Sequence, residues 1–502
     1  SVIRRVYSRL LGNWVQVDIT SSPEERQNKS SLYNLHTVKE LYDLTDSENS
    51  VTISWDSYFE EVFFDIYDPE KKGLTWNKTN VVVRDVHFFH MIESVLAGER
   101  NKTMQILRDF LTWKIIFDFA EDVTNELREL LFEFHTVTEG IETPEPLWKT
   151  CTKQTQQYFG MALSYHFVQH YFDEEYKKEA TDLLEDIKNS LKKTLTAPGD
   201  KELGWMSAQS KLRAINKLDK LHAFVGHPDW LMDGGDISKK PLLITELDEY
   251  YYHLQLDKDN DHFDNMVEVL EWDSREELKL IGGPRNRDRW TVDPIAVLAL
   301  YWPIHNSITL PAGILQHPFY GAPVQYLNYG AAGSLIGHAL IHSFDFKGKQ
   351  YNADGTLNKW WDAETERNYA KKTECFMNKF KNYTTDEQSI PIHWKQSILD
   401  ESLAENMGLK LAYRAYRAHV RSDGEEHLLP GFNATANQLF FLSYAQMWCS
   451  GFRNEIAASI QNGAYTPSQF RESGGLHGSL DFARAWSCPV PPVDANCNIW
   501  SS

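Results

Sequence analysis

The sequence predicts a mainly α protein with a smaller α/β part, arranged as two domains. Three observations predict it. Amphipathic helical periodicity runs through the first half, the composition shifts at Ile281-Gly282-Gly283-Pro284, and two strand-like runs follow that shift. The chain has 502 residues, enough for several domains at about 150 residues each. Placing the main boundary at the shift gives a helical domain over 1–280 and a second domain over 281–502.

The elements follow in order. TDLLEDIKNSLKKTL sets Leu184, Ile187, Leu191 and Leu195 on one helical face, with charges opposite. SAQSKLRAINKLDKLHAF repeats the pattern with Leu212, Ile215, Leu218 and Leu221. Beyond the shift, 295–301 and 307–310 read as strands around a turn at Pro303. YGAAGSLIGHALIHSF then reads as a helix opened by small residues. Further helices are expected over 397–419 and 436–452. The chain shows neither internal repeats nor low-complexity tracts.

Charge and hydropathy exclude whole classes of function. Lys and Arg total 51 against 71 Asp and Glu, a formal charge of −20. Clustered cations are what a phosphate backbone needs, so nucleic acid is excluded as a partner. Hydrophobic residues are 42% and aromatics 13%, ample for a packed core. Mean hydropathy is −0.48. The longest apolar stretch, 295–304, is strand-sized and far from the roughly 18 residues of a membrane span. Basic residues precede Leu10 and Leu11, but no sustained apolar run follows, so the N-terminus is not a signal peptide. The protein is therefore cytosolic, or its true start lies upstream. The five cysteines are an odd number, so at least one has no partner within the chain. Five N-x-S/T sequons start at Asn28, Asn77, Asn101, Asn382 and Asn433 and lean weakly towards secretion.

Four residues separate His338 from His342 in HALIH, which puts both imidazoles on one helix face and suits two ligands of one metal. Eighteen histidines give about 0.6 such pairs by chance, so spacing alone decides nothing. A second pair, His166 and His170 in HFVQH, reads as a decoy on an amphipathic helix. Downstream of HALIH, Glu401 and Glu405 are again four apart on an expected helix. One carboxylate there completes a His₂Glu zinc set, and the other accepts the distal N–H of a ligand histidine. A solvated pair of glutamates is the alternative.

HALIHSFD followed by ESLAENMGLKLAY resembles the zinc-site pair of the neprilysin family of metallopeptidases, to which endothelin-converting enzymes belong. LPAGILQHPFY (310–320), LNYGAAGSLIG, NQLFFLSYAQMWCSGFR (437–453) and the terminal SCPVPPVDANCNIW resemble further family segments. Upstream, so do SLYNLHTVKEL, LWKTCTKQ and the WMSAQSKLRAINKL helix. The resemblance covers nearly the whole chain. It implies a two-domain neprilysin-like metallopeptidase architecture, with a thermolysin-like C-terminal half from about 281 and a helical domain capping the site. It implies zinc held by His338, His342 and Glu401. Glu405 matches a family aspartate that orients a ligand histidine and is one methylene longer. Arg471 matches an arginine that supports substrate, and Leu335 and Trp448 match positions lining the specificity pocket.

Three departures fall on chemistry. Ala339 stands where the family motif His-Glu-x-x-His has its general base. Tyr465 replaces a histidine that stabilises the transition state. Leu298, Ala299, Leu300 and Tyr301 align with the family's Asn-Ala-x-Tyr strand, with leucine replacing the substrate-anchoring asparagine. The resemblance therefore implies an inactive homologue that binds or sequesters peptides or protein partners outside the cell. An active zinc endopeptidase on short peptides is the alternative. A structural member of a heteromeric assembly, its acidic surface meeting a basic partner, is a third reading. Family pairing implies a Cys375–Cys497 disulfide. Cys151, Cys449 and Cys488 match cysteines whose partners lie further towards the family's N-terminus, which implies a partial chain with a signal peptide or single membrane anchor upstream. A naturally short, reduced variant is the competing account.

Overall fold

The computed structural model describes residues 28–29, 32–45, 53–63, 75–86, 89, 100–197, 203–232, 246–283, 285–380, 396–451, 468–476 and 478–489. The chain forms two compact units, one of 1–158 with 244–287, the other of 159–243 with 288–502. The last crossing falls beside the Ile281-Gly282-Gly283 composition shift. The segment 159–243, which precedes that shift, packs in the second unit.

The first unit pairs strands β1 (Asn34–Thr37) and β2 (Asn80–Val83) antiparallel, with Asn34 opposite Val83. Its long helices are Arg100–Asp118, Asn125–Glu139, Leu147–Tyr158 and His262–Leu278. Side-chain oxygens start two of them. Thr124 accepts from the Leu127 amide and Asp261 from the Asp264 amide. Gly140, at φ 67°, ends the 125–139 helix in the left-handed conformation that glycine adopts without strain.

The second unit holds the larger core. Helix Glu174–Thr196 starts at an Asp173 cap and buries Leu184, Ile187, Leu191 and Leu195, the face that periodicity predicts. The next helix, Ala208–Asp219, keeps its predicted face at Leu218, which is buried, and at Ile215, which packs against the core with Leu221 just beyond the helix, and departs from it at Leu212. Leu212 is 69% exposed, whereas Ala214, Lys217 and Leu218 are buried. The helix also stops early. His222–Gly226 (β3) is a strand, parallel to Ser307–Pro311 (β5), and Leu300–Trp302 (β4) completes the sheet antiparallel to β5 in the order β3-β5-β4. The strand expected over 295–301 is shorter than its apolar run. The Ala296 amide turns back to Asp293 O and the Ile295 amide is taken by Ser164 Oγ, so neither joins the ladder.

Two crossed helices follow, the first of them against this sheet. The histidine helix, Ser334–Ile341, is entered through a wider π-type turn at Tyr329–Gly333. The glutamate helix, Gln396–Asp423, crosses it. Glycines meet at the crossing. A Cβ on Gly337 would lie 2.5 Å from Gly408 O, and one on Gly408 would overlap the His338 amide. Bare backbone on both sides therefore lets the helices approach closely enough for their side chains to share one site. Helix Ala436–Met447 starts with a reciprocal Thr435–Gln438 capping box. The arginine helix, Ser468–Leu476, is tied to the glutamate helix by Asn406, which donates to Gly474 O and Gly475 O at 3.2 Å. Among the described residues no helix is long and apolar enough to cross a membrane.

Candidate metal centre

The crossing brings two histidines and a glutamate together. The ligand atoms of His338, His342 and Glu401 lie within 4.8 Å of one another, the single such group among the described residues. His338 Nε2 and His342 Nε2 are 2.9 Å apart. Glu401 reaches His338 Nε2 at 3.5 Å and His342 Nε2 at 3.6 Å, one carboxylate oxygen to each.

Each imidazole has a carboxylate on its far nitrogen. His342 Nδ1 donates to Asp345 Oδ2 at 2.7 Å. His338 Nδ1 lies 3.1 Å from Glu405 Oε1, close enough for an ion pair but not aligned for a hydrogen bond. These carboxylates favour a proton on Nδ1 and turn each Nε2 towards Glu401. The two Nε2 atoms are close enough for an N–H of one ring to donate to the other, or for one cation to accept both. Burial pulls the His342 imidazole down, yet the Asp345 hydrogen bond and the charges of Asp345, Glu401 and Asp400 outweigh it and carry it up to about 9. A metal ion between them would take both nitrogens and the carboxylate as ligands. A two-imidazole, one-carboxylate set fits zinc. Bound zinc would supply Lewis-acid polarisation of a carbonyl or a water.

A charged frame surrounds this set. Glu405, buried at 2% exposure, accepts from Arg471 Nε at 2.7 Å and also from Arg471 Nη2. Burial alone would raise the Glu405 carboxyl; His338 and Arg471 reverse that and hold it below the usual carboxylate range. Arg471 Nη2 reaches Glu401 Oε2 at 3.5 Å as well, and its guanidinium lies 4.1 Å from the centre of the Trp448 ring. Tyr444 donates to Arg471 O at 2.8 Å, which pins the arginine's helix.

The sequence-predicted residues thus divide. His338, His342, Glu401, Glu405, Arg471 and Trp448 meet in one cluster. Ala339 is completely buried in the core beside His338. Leu335 and Ala299 are half-buried against that core, and Leu298 is 36% exposed just ahead of β4. Tyr465, Cys497 and the Cys375 side chain lie outside the described residues. Cys151, Cys449 and Cys488 are exposed free thiols. His166 and His170 are both exposed on helix Gly160–Tyr171 and belong to no metal-binding group. Sequence reasoning missed Asp345, although its place three residues after His342 signals a same-face partner. It also missed the pairing of Arg471 with Glu405 and Glu401, which no local spacing reveals.

Known proteins match over most of this length. Two family models, both described as Peptidase family M13, match residues 16–228 and 299–493. An endothelin-converting enzyme homolog of Locusta migratoria is 31% identical over 491 residues, covering 96% of this chain and 63% of the relative. Endothelin-converting enzyme 1 of Homo sapiens is 30% identical, covering 96% and 59%. The chain spans about three fifths of the length of these curated relatives. Among solved structures, the Mycobacterium tuberculosis zinc metalloprotease Zmp1 in complex with an inhibitor superposes with a TM-score of 0.78 at 25% identity, covering 100% of this chain and 70% of that one. PepO from Lactobacillus rhamnosis shares the fold, with a TM-score of 0.74 at 21% identity and coverage of 100% and 69%. Matched by the family's models over 16–228 and 299–493, with a two-histidine, one-glutamate group at the helix crossing, the chain belongs to peptidase family M13, the neprilysin-like metallopeptidases.

Proposed function

We propose that this chain holds zinc with His338, His342 and Glu401 and binds peptides or protein partners outside the cell without cleaving them. The observation that carries the reading is Ala339. Its fully buried methyl stands beside His338 where the resemblance requires a general base, and a methyl group cannot take a proton. The carboxylates seated against the two imidazoles do not replace it. Glu401 faces both Nε2 atoms, Glu405 is held by Arg471, and Asp345 holds His342. A missing general base typically removes about 10²–10⁴ in rate. Tyr465 in place of a transition-state donor removes on the order of 10²–10³ more.

The rest of the frame suits binding. Arg471 and Trp448 offer a cation on an aromatic face beside the metal set, and the resemblance places both among substrate contacts. Exposure of the sequon asparagines Asn28, Asn77 and Asn433 agrees with a glycosylated chain at the cell surface or beyond it. The intact donor set favours the second reading, an active zinc endopeptidase.

Peptide recovery separates the two. Zinc-loaded protein is incubated with a mixed peptide library, and the bound fraction is sequenced by mass spectrometry. Intact peptides retained by the wild type are expected. Cleavage products formed by the wild type and absent with His338→Ala would overturn the proposal.

A further inference from the structure

We infer that Lys217 is a positioning residue for the metal centre, acting on His342 through the turn at residues 345–351. The inference rests on the zinc site proposed above. Lys217 belongs to helix Ala208–Asp219 and is 1% exposed, a place where lysine is rarely found without a task. Its Nζ donates to Gly348 O and to Tyr351 O, each at 2.7 Å. It also lies 5.7 Å from the Tyr301 ring centre and 5.5 Å from that of Trp360. Trp360 Nε1 donates to the same Gly348 carbonyl at 3.4 Å.

The turn that Lys217 grips is the one that carries Asp345. Asp345 Oδ1 accepts from the Lys347 amide at 2.8 Å and the Gly348 amide at 2.7 Å. Its other oxygen, Oδ2, accepts from His342 Nδ1 at 2.7 Å. The path is therefore continuous: ammonium to turn carbonyls, turn amides to carboxylate, carboxylate to ligand imidazole. Gly348 sits against the end of the histidine helix so closely that a Cβ on it would overlap His342 O. The turn has no room to relax towards that helix, and Lys217 holds two of its carbonyls.

Lysine suits this position for a physical reason. Its ammonium carries three donors on a slim apolar stem, so it satisfies two buried carbonyls while the stem fills the core. Methionine has a similar volume and no donor. It would leave Gly348 O and Tyr351 O without that partner, and the turn would shift towards other donors, taking Asp345 with it.

Zinc affinity tests this, measured by chelator competition with the whole chain, alongside the visible spectrum of the cobalt(II)-substituted protein. Wild type is measured first. Failure of wild type to bind zinc would remove the proposed centre and this inference with it. Where wild type binds, Lys217→Met is expected to bind zinc about tenfold more weakly, the size of effect that outer partners of metal ligands carry. Its cobalt spectrum should change as well. Leu191→Ala, a core variant that takes no part in the hydrogen bonds from Lys217 to His342, should lose stability while keeping zinc affinity and spectrum. In an Asp345→Asn background the Lys217→Met effect should vanish, because both act on His342 by one path. Lys217→Gln keeps a donor for one carbonyl and is expected to lose about threefold; it carries the test if the methionine variant fails to fold. Wild-type affinity in Lys217→Met, or in Lys217→Gln where that is the arm measured, would overturn the inference. So would an equal loss in Leu191→Ala.

Discussion

Gly337→Ala tests whether the helix crossing builds the site. Two effects oppose each other in this substitution. Alanine is favoured over glycine in a helix interior by about 1 kcal/mol, so with free space the variant would be more stable than wild type. The structure leaves no such space. The new Cβ would lie 2.5 Å from Gly408 O and 2.7 Å from Gly408 Cα. Ordinary contact needs about 3.5 Å, so the helices must part by roughly 1 Å. The obstructing atoms are backbone, and no rotamer change relieves them. Overpacking of this kind costs about 1–3 kcal/mol and reverses the sign. A separation of that size also exceeds the roughly 0.2 Å tolerance of a metal site, so zinc affinity should fall at least about tenfold. Denaturant unfolding and chelator competition on the same preparation read both quantities. A variant as stable as wild type with unchanged zinc affinity would refute the reasoning.

Three further outcomes follow from the same geometry. Glu405→Gln leaves Arg471 facing a neutral side chain in a largely buried position and should cost about 3 kcal/mol in denaturant unfolding; unchanged stability would contradict the pairing. Leu212→Ala should be near neutral and Leu218→Ala should cost about 2–5 kcal/mol, because the first side chain is 69% exposed and the second 1%; equal costs would put Leu212 back on the buried face. Burial pulls the Lys217 ammonium down to about 7, with the Asp345 charge opposing it, so between about pH 7 and 10 the unfolded chain binds more protons at this site than the folded one. Stability should therefore rise with pH across that window by at most about 1.4 kcal/mol per unit from this group, and Lys217→Met should lack that slope; identical pH profiles would contradict the shift.

Where a helix lies against one uniform apolar neighbour, the sequence reveals it. Leu184, Ile187, Leu191 and Leu195 repeat at helical spacing because the core they face is continuous. The Ala208–Asp219 helix does so only in part, because its inward face also includes Lys217, whose partners are carbonyls more than a hundred residues away. A pattern of apolar residues is blind to a buried cation. Strand β3 was hidden for a related reason. His222–Gly226 follows a helix without a proline or a glycine between, and what makes it a strand is the distant β5 beside it.

The site shows the same division. His338, His342, Glu401 and Glu405 could be singled out because each pair shares one helix face, and local spacing is visible in one dimension. Their meeting depends on Gly337 and Gly408, whose absent side chains carry no chemical signal of their own. Arg471 reaches Glu405 from a third helix, and Lys217 reaches the turn beyond His342 from a fourth. Those contacts belong to the tertiary structure, where residues distant in sequence become neighbours.

The central claim is that the chain keeps the metal and lacks the base. Metal content of protein purified without chelators, measured together with peptide hydrolysis by wild type, Ala339→Glu and His338→Ala, tests it most directly. The account predicts near-stoichiometric zinc in wild type, hydrolysis no faster than in His338→Ala, and little recovery in Ala339→Glu because Tyr465 and Leu298 remain. Wild-type hydrolysis that disappears in His338→Ala would contradict it.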